Sequence, residues 1–302
     1  MALAHVLSAL RSIILDELPL PSDVGERSAY LSERFPNLTS EELEDLVKID
    51  ERKFRIYSDS IYASERRVLE SKFPMTFALI AERSKGKVKI PVLVRELQRV
   101  RPWRTGLVPE LVENLCHFLV EDRKDIIALD PVLAETIRFE RARFFAARQE
   151  VPDEGSNFAP TELLAMSVDQ VLAVQLRCRN VTRFETFQCD LIRAWHDFGE
   201  TEDLPVALSE RLETPLFALC SRDAENNVRW TSVGEPVSAF LQRVQFAPFA
   251  LEAFAEAYLA DKNTDGSPEQ LFADLFSFVQ VLAERGVLEL VSTPMTTAVN
   301  AS

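Results

Sequence analysis

The residues able to do chemistry in this chain are few and dispersed. Its three histidines, His5, His117 and His196, stand in separate segments. Imidazole is a good metal ligand, yet none of the three is read as having a carboxylate or a second His at a ligand spacing. Cys116-His117 places a nucleophile beside a base, but adjacent helical residues point about 100° apart and do not pair directly. Next to Leu115 and Phe118, Cys116 reads as core packing. Asp261-Lys-Asn-Thr-Asp-Gly imitates the start of a calcium-binding loop, with Asp261, Asn263, Asp265 and Gly266 in step. The twelfth position, where such a loop needs a bidentate Glu, is Phe272. The preferred reading is a polar turn followed by a helix capped by Ser267. There is no glycine-rich phosphate cradle and no G-x-S-x-G elbow. The expectation is a non-enzyme with no metal and no cofactor of its own.

One charge feature stands out. Arg83, Lys85, Lys87, Lys89, Arg95, Arg99, Arg101 and Arg104 face a single acid, Glu96, with Trp103 among them. Such a block suits docking to an acidic partner; it also fits a plain solvated surface. Nucleic acid is a weaker third reading, because no second basic region accompanies it.

Composition sets the frame for these residues. At 302 residues, two domains are the natural expectation. Apolar residues make up 47%, which suits a globular chain. Eight glycines, against many Leu, Ala, Glu and Arg, favour helix. The net charge of −14 opposes nonspecific nucleic-acid binding by the whole chain. Cys116, Cys178, Cys189 and Cys220 form no C-x-x-C pair and read as reduced, mostly buried thiols. Arg11, Asp16 and Glu17 interrupt the apolar N-terminus, so no signal peptide is expected. No stretch approaches the roughly 20 apolar residues of a membrane span. A cytoplasmic protein follows as the expectation.

The elements that must position these residues are mostly helices. The pattern predicts helices from Leu3 to Leu18, from Leu38 with Thr39 or Ser40 as cap, and through Phe54, Tyr57, Ile61 and Val68. Pro74 opens another. Leu107 to Glu121 and the stretch after Asp130-Pro131 follow. Glu150 to Pro160 is the best linker. This divides the chain into a helical domain over 1–150, an α+β domain over 158–292 and a tail over 293–302. In the second part Val168 to Arg177 alternates like a strand. Leu216 to Ser221 and Val228 to Ser232 read as a hairpin closed by Asp223-Ala-Glu-Asn-Asn. Helices are expected at Glu235 to Val244, Pro248 to Leu259 and Pro268 to Arg285, with a strand from Val287 to Val291 beside the hairpin. The expected fold class is α+β: an N-terminal helical bundle, then a smaller domain with a winged-helix-like element. An edge strand there can accept an extended peptide, although an α+β domain with no ligand fits the pattern equally.

Three segments together resemble a known bacterial family. They are Tyr57-x3-Ile61-x7-Leu69-x3-Phe73-Pro74, then Asp130-Pro131-Val132-Leu133-Ala134 running into Phe139-Glu140-Arg141-Ala142-Arg143, then Val171 to Trp195. The family comprises partner subunits of multinuclear non-haem iron oxidative enzymes, once described as DNA-binding domains. Such pairs serve the methanobactin and thiaglutamate (pearlin) routes to ribosomally made peptide natural products, and the thiaglutamate branch is the expected one. Asp59 and Ser60 stand where the family favours asparagines, and Arg141 and Phe144 where it favours Trp and His.

The resemblance implies that the iron belongs to a TIM-barrel enzyme partner. This chain would dock on that enzyme, bind the precursor peptide through residues 215–291, and present its cysteine. It implies peptide capture by Val228, Arg229, Trp230 and Thr231 with a facing helix at Phe272, Leu275 and Phe276, each with a rival role as core. Arg99, Arg101 and Trp103 are the docking candidates. The competing readings are a winged-helix DNA-binding regulator, which would need a basic recognition helix, and a stand-alone metalloenzyme.

Overall fold

The structure, a computed structural model, describes residues 2–14, 20–21, 23–103, 106–149, 167–179, 183–201, 203–245, 247–261 and 267–291. The expected linker at 150–160, the tail at 293–302 and Arg104 lie outside these. The chain forms two compact units, Met1–Asp130 and Pro131–Ser302.

The secondary-structure elements of the first unit are, among the described residues, all helical. Its elements are α1 (Ala2–Ile14), α2 (Val24–Arg34), α3 (Ser40–Lys48), α4 (Glu51–Lys72), α5 (Pro74–Arg83), α6 (Ile90–Val100), α7 (Val108–His117) and α8 (Lys124–Ile127). Local chemistry sets their ends. Thr39 and Glu42 form a reciprocal capping box at α3, while Asp23 and Asp50 cap α2 and α4; each such cap satisfies amide groups that the first turn leaves free. Prolines open α5, α6 and α7, where a missing N–H costs nothing. Beyond α7 the chain continues as one wide π turn, Phe118–Asp122. Phe73, Met75, Leu79, Leu93, Leu97 and Phe118 are among the fully buried side chains.

One expectation is corrected on α4. The inward stripe is Phe54, Ser58, Tyr62, Glu65, Leu69 and then Phe73. Tyr57 is 61% exposed and Ile61 36%. Two polar residues occupy the buried stripe, so apolar spacing alone selects its neighbours.

The second unit begins with α9 (Val132–Ala146) and α10 (Val168–Leu172), followed by β1 (Gln175–Cys178), β2 (Arg183–Cys189) and α11 (Leu191–Thr201). After a short 3-10 turn come β3 (Arg211–Arg222), β4 (Val228–Val233), α12 (Glu235–Val244), β5 (Phe249–Ala250), α13 (Leu251–Asp261), α14 (Pro268–Glu284) and β6 (Leu288–Leu290). The fold is mixed α+β. Its two antiparallel three-stranded sheets have the orders β5-β1-β6 and β2-β3-β4.

The β3–β4 hairpin forms as expected, in register from Arg222↔Val228 to Phe217↔Val233. Asn226 adopts φ 66° at its tip, a conformation Asn tolerates better than most residues. The Asp223 carboxylate accepts from the Asn227 backbone N–H at 2.7 Å and from Arg229 Nε at 2.8 Å. Burial works against ionisation of Asp223, but these bonds outweigh it and hold the carboxyl below its ordinary range.

Three expectations change here. The terminal strand pairs with β1, not with the hairpin, so hairpin and terminal strand lie in different sheets. Val168 to Arg177 splits into α10, capped by Ser167 and Gln170, and β1. Pro248 to Leu259 starts with the two-residue strand β5 before α13. In each case a short strand takes its partner from tertiary packing, which no local pattern reports.

Among the described residues, two cores hold the unit together. One joins the β5-β1-β6 sheet to α12, α13 and α14 through Leu176, Phe240, Phe249, Phe254, Val279 and Leu288. The other is aromatic, between α9 and the β2-β3-β4 sheet. There the Phe139 ring stacks on Trp230 at 4.6 Å and meets Phe187 and Trp195 at 5.8 Å each. A tight joint locks the hairpin to the turn after α14. Gly286 has φ 69°, and a Cβ there would lie 1.7 Å from the Arg222 carbonyl oxygen. Ser221 Oγ donates to the Arg285 carbonyl at 2.5 Å beside it.

Candidate peptide-binding cavity

The second unit carries an open cavity of about 820 Å3 beside the hairpin, within the size range of small-ligand sites. Four elements build it. Helix α9 supplies Arg143, α11 supplies Ile192, Trp195 and His196, β4 supplies Val228, Arg229 and Trp230, and the end of α14 supplies Glu284 and Arg285. Strand β4 is an edge strand: β3 pairs with it on one side, and no described strand pairs on the other.

The three arginines of the wall are held differently. Arg229 is tied to Asp223. Arg285 donates through Nη1 to the Trp230 carbonyl at 2.9 Å and to Thr231 Oγ1 at 3.2 Å. Arg143 lies with its guanidinium 4.2 Å from the Trp195 ring centre, a favourable cation–π contact. Among the described residues no carboxylate sits within ion-pair distance of Arg143. Burial lowers its pKa, with Cys220 and Glu140 pulling the other way. Trp230 is 7% exposed, and its indole N–H is buried without an acceptor among the described residues. Exposed Glu200, Glu225 and Glu284 also line the cavity.

The arrangement thus offers a main-chain edge, aromatic faces and a planar guanidinium side by side. Chemically this suits recognition of an extended chain with an acceptor group. The Cys220 thiol, on the strand next to Trp230, is no nucleophile in this setting: burial pushes its pKa up to about 12.

The predicted peptide residues divide. Val228, Arg229 and Trp230 line the cavity, and buried Thr231 braces Arg285 behind it. Phe272, Leu275 and Phe276 do not reach it; they pack into the core of the other sheet. The α14 residues that do reach the cavity are at its far end. Arg143, Trp195 and Arg285 were not signalled by the sequence, because each looks like an ordinary helix residue until the tertiary fold gathers them.

The basic block of the first unit is less open than its composition suggests. Arg83 pairs with Asp130 at 2.7 Å, Arg95 with Asp59, and Arg101 with Glu121 at 2.5 Å and Asp122 at 2.6 Å. The acids come from distant segments, which is why a local count of charges missed them. Arg99 is exposed, as are Lys85, Lys87 and Lys89. Trp103 is held in place: its backbone N–H donates to Gln98 Oε1 at 2.9 Å, its indole N–H donates to the Leu107 carbonyl at 2.8 Å, and its carbonyl accepts from Arg11. Beneath this network Glu65 is buried, 3% exposed. Burial pushes its pKa up to about 7, against the lowering effects of Gln98 and Arg11.

The histidines do not converge. His117 Nδ1 lies 3.0 Å from Glu121, and His196 lies 3.8 Å from Glu200. A carboxylate therefore does stand one turn from each, contrary to the sequence reading. Among the described residues, no group of three His, Cys, Asp or Glu side chains is placed to hold a metal ion. All four cysteines are buried and free, and no helix among the described residues is long and apolar enough to cross a membrane. No family model matches the chain, and no curated protein matches it at a significant level.

Proposed function

We propose that this chain is a non-catalytic partner subunit that captures a ribosomally made precursor peptide and presents its cysteine to a separate multinuclear non-haem iron enzyme. The observation that carries the peptide-binding part is the open edge of β4 bordering the cavity. An extended peptide can pair with that edge through main-chain bonds while its side chains enter the cavity. The Trp230 carbonyl accepts from Arg285 rather than being reserved for β3. Polar groups alternate sides along an antiparallel strand, so Val228, Trp230 and Ser232 carry the outward-facing groups. Arg285 then occupies one docking position and must share it with, or yield it to, the peptide.

The presenting role rests on the resemblance of the Tyr57–Pro74, Asp130–Arg143 and Val171–Trp195 segments to the partner-subunit family. Holding the peptide near the iron site raises its effective concentration there. Arg99, Arg101 and Trp103 are proposed to contribute to the enzyme-docking surface, with Trp103 pre-oriented by Gln98, Arg11 and Leu107.

The test is a calorimetric titration of the chain with any small precursor peptide found encoded beside an iron-enzyme gene next to its own, with and without that enzyme. Saturable binding is expected. Ser232→Pro, which removes an outward N–H from an exposed edge position where proline is tolerated, is expected to weaken it about tenfold or more through lost main-chain bonds. No saturable binding under either condition, or binding indifferent to S232P in a folded variant, contradicts the proposal.

A further inference from the structure

The cavity holds a cation that no described carboxylate pairs with. The Arg143 guanidinium lies over the Trp195 ring and is half-buried, with no carboxylate of the described residues in ion-pair reach. Glu140, one turn earlier on α9, attracts it only from beyond that distance. A partly buried charge without a partner costs free energy. That cost falls if an anion with two oxygens enters.

The neighbouring groups narrow the class. Arg229 is neutralised by Asp223, whereas Arg285 donates to the neutral Trp230 carbonyl and Thr231 hydroxyl and keeps its charge. Exposed Glu200, Glu225 and Glu284 share the lining. A multiply charged phosphate would meet these three acids with the two guanidiniums of Arg143 and Arg285 to offset them. A carboxylate, singly charged and planar, matches the guanidinium fork. The acids would in turn favour basic residues flanking it.

We infer that this cavity is a carboxylate subsite, in which the Arg143 guanidinium, lying over the Trp195 ring, receives the acidic side chain or free C-terminus of a bound peptide. The inference rests on the peptide-binding reading above and adds the ligand class of the pocket beside the edge strand.

The test uses the full chain and three blocked tripeptide probes: Ac-Val-Glu-Val-NH2, its Gln counterpart, and Ac-Val-Val-Val-OH. Binding is followed by NMR of the arginine Nε–H groups. At least one acidic probe is expected to bind about tenfold or more tightly than the Gln probe, the usual advantage of a charge-assisted hydrogen bond, and to shift the Arg143 signal. Which acidic probe wins identifies the source as side chain or terminus. Arg143→Gln is expected to erase the preference and Arg143→Lys to leave it intermediate, because lysine keeps the charge but loses the fork. Equal binding of all three probes overturns the subsite while leaving edge-strand capture of the precursor intact. A preference that survives R143Q, or no binding of any probe, also overturns it. Should R143Q fail to fold, the Arg143 shift in the wild-type chain decides between the Glu and Gln probes.

Discussion

Replacing Glu65 by Gln is expected to stabilise the protein at neutral pH and to do nothing in mild acid. Glu65 is buried, and burial lifts its carboxyl from 4.5 to about 7. At about 1.4 kcal/mol per pH unit, that displacement corresponds to about 3 kcal/mol. The sign follows from proton binding. Between 4.5 and about 7 the folded state holds the proton and the unfolded state has lost it, so stability falls as pH rises. Below 4.5 both states are protonated and the group costs nothing; above about 7 the full cost is present. The carboxyl's neighbours are Gln98 on α6 and Arg11 on α1, and neither offsets the burial. Urea melts of wild type and E65Q at pH 5, 6, 7 and 8 read the effect directly. Their difference should be small at pH 5 and grow towards about 3 kcal/mol at pH 8, less whatever hydrogen bonding the new amide lacks. A difference that stays flat across this range would refute the assignment of Glu65 as a buried, proton-holding carboxyl.

The remaining predictions concern the hairpin that borders the cavity. Gly286→Ala should destabilise the second unit by on the order of 3 kcal/mol, since its Cβ would meet a backbone oxygen and its φ is positive; a thermal melt unchanged from wild type would count against the joint described here. Asp223→Ala should cost about 1–3 kcal/mol, because the Asn227 amide loses its side-chain acceptor and Arg229 its partner. The Asp223 carboxyl titrates below its ordinary range. Its contribution is therefore present above that range and lost as pH falls through it, opposite in sense to Glu65, and denaturation of D223A in neutral and acid buffer checks this.

What could be read from residues alone follows a physical divide. The hairpin was legible because Asp223-Ala-Glu-Asn-Asn carries its own turn chemistry, later seen as Asp223 gripping Asn227 and Arg229. The Thr39 cap and the break at Phe73-Pro74 are local in the same sense. The partner of β6 was not legible, because three residues cannot report which strand they will meet. On α4, Ser58 and Glu65 occupy the inward stripe, so the apolar pattern pointed to Tyr57 and Ile61 instead. The cavity was half legible. Its β4 wall came from edge-strand reasoning, but Arg143 and Trp195 meet only because α9 packs on β2 and β3 and brings Phe139 against Trp195 and Trp230. The same long-range pairing drew the basic block of the first unit into ion pairs that a count of nearby acids could not foresee.

The proposed role places the reactive centre in a different polypeptide, and one measurement addresses that directly. The precursor is incubated with the purified chain, with the iron enzyme, and with both, and its mass is followed. Modification of the precursor cysteine is predicted only when the two proteins are present together. Conversion by this chain alone, or full-rate conversion by the enzyme without it, would contradict a peptide-presenting subunit.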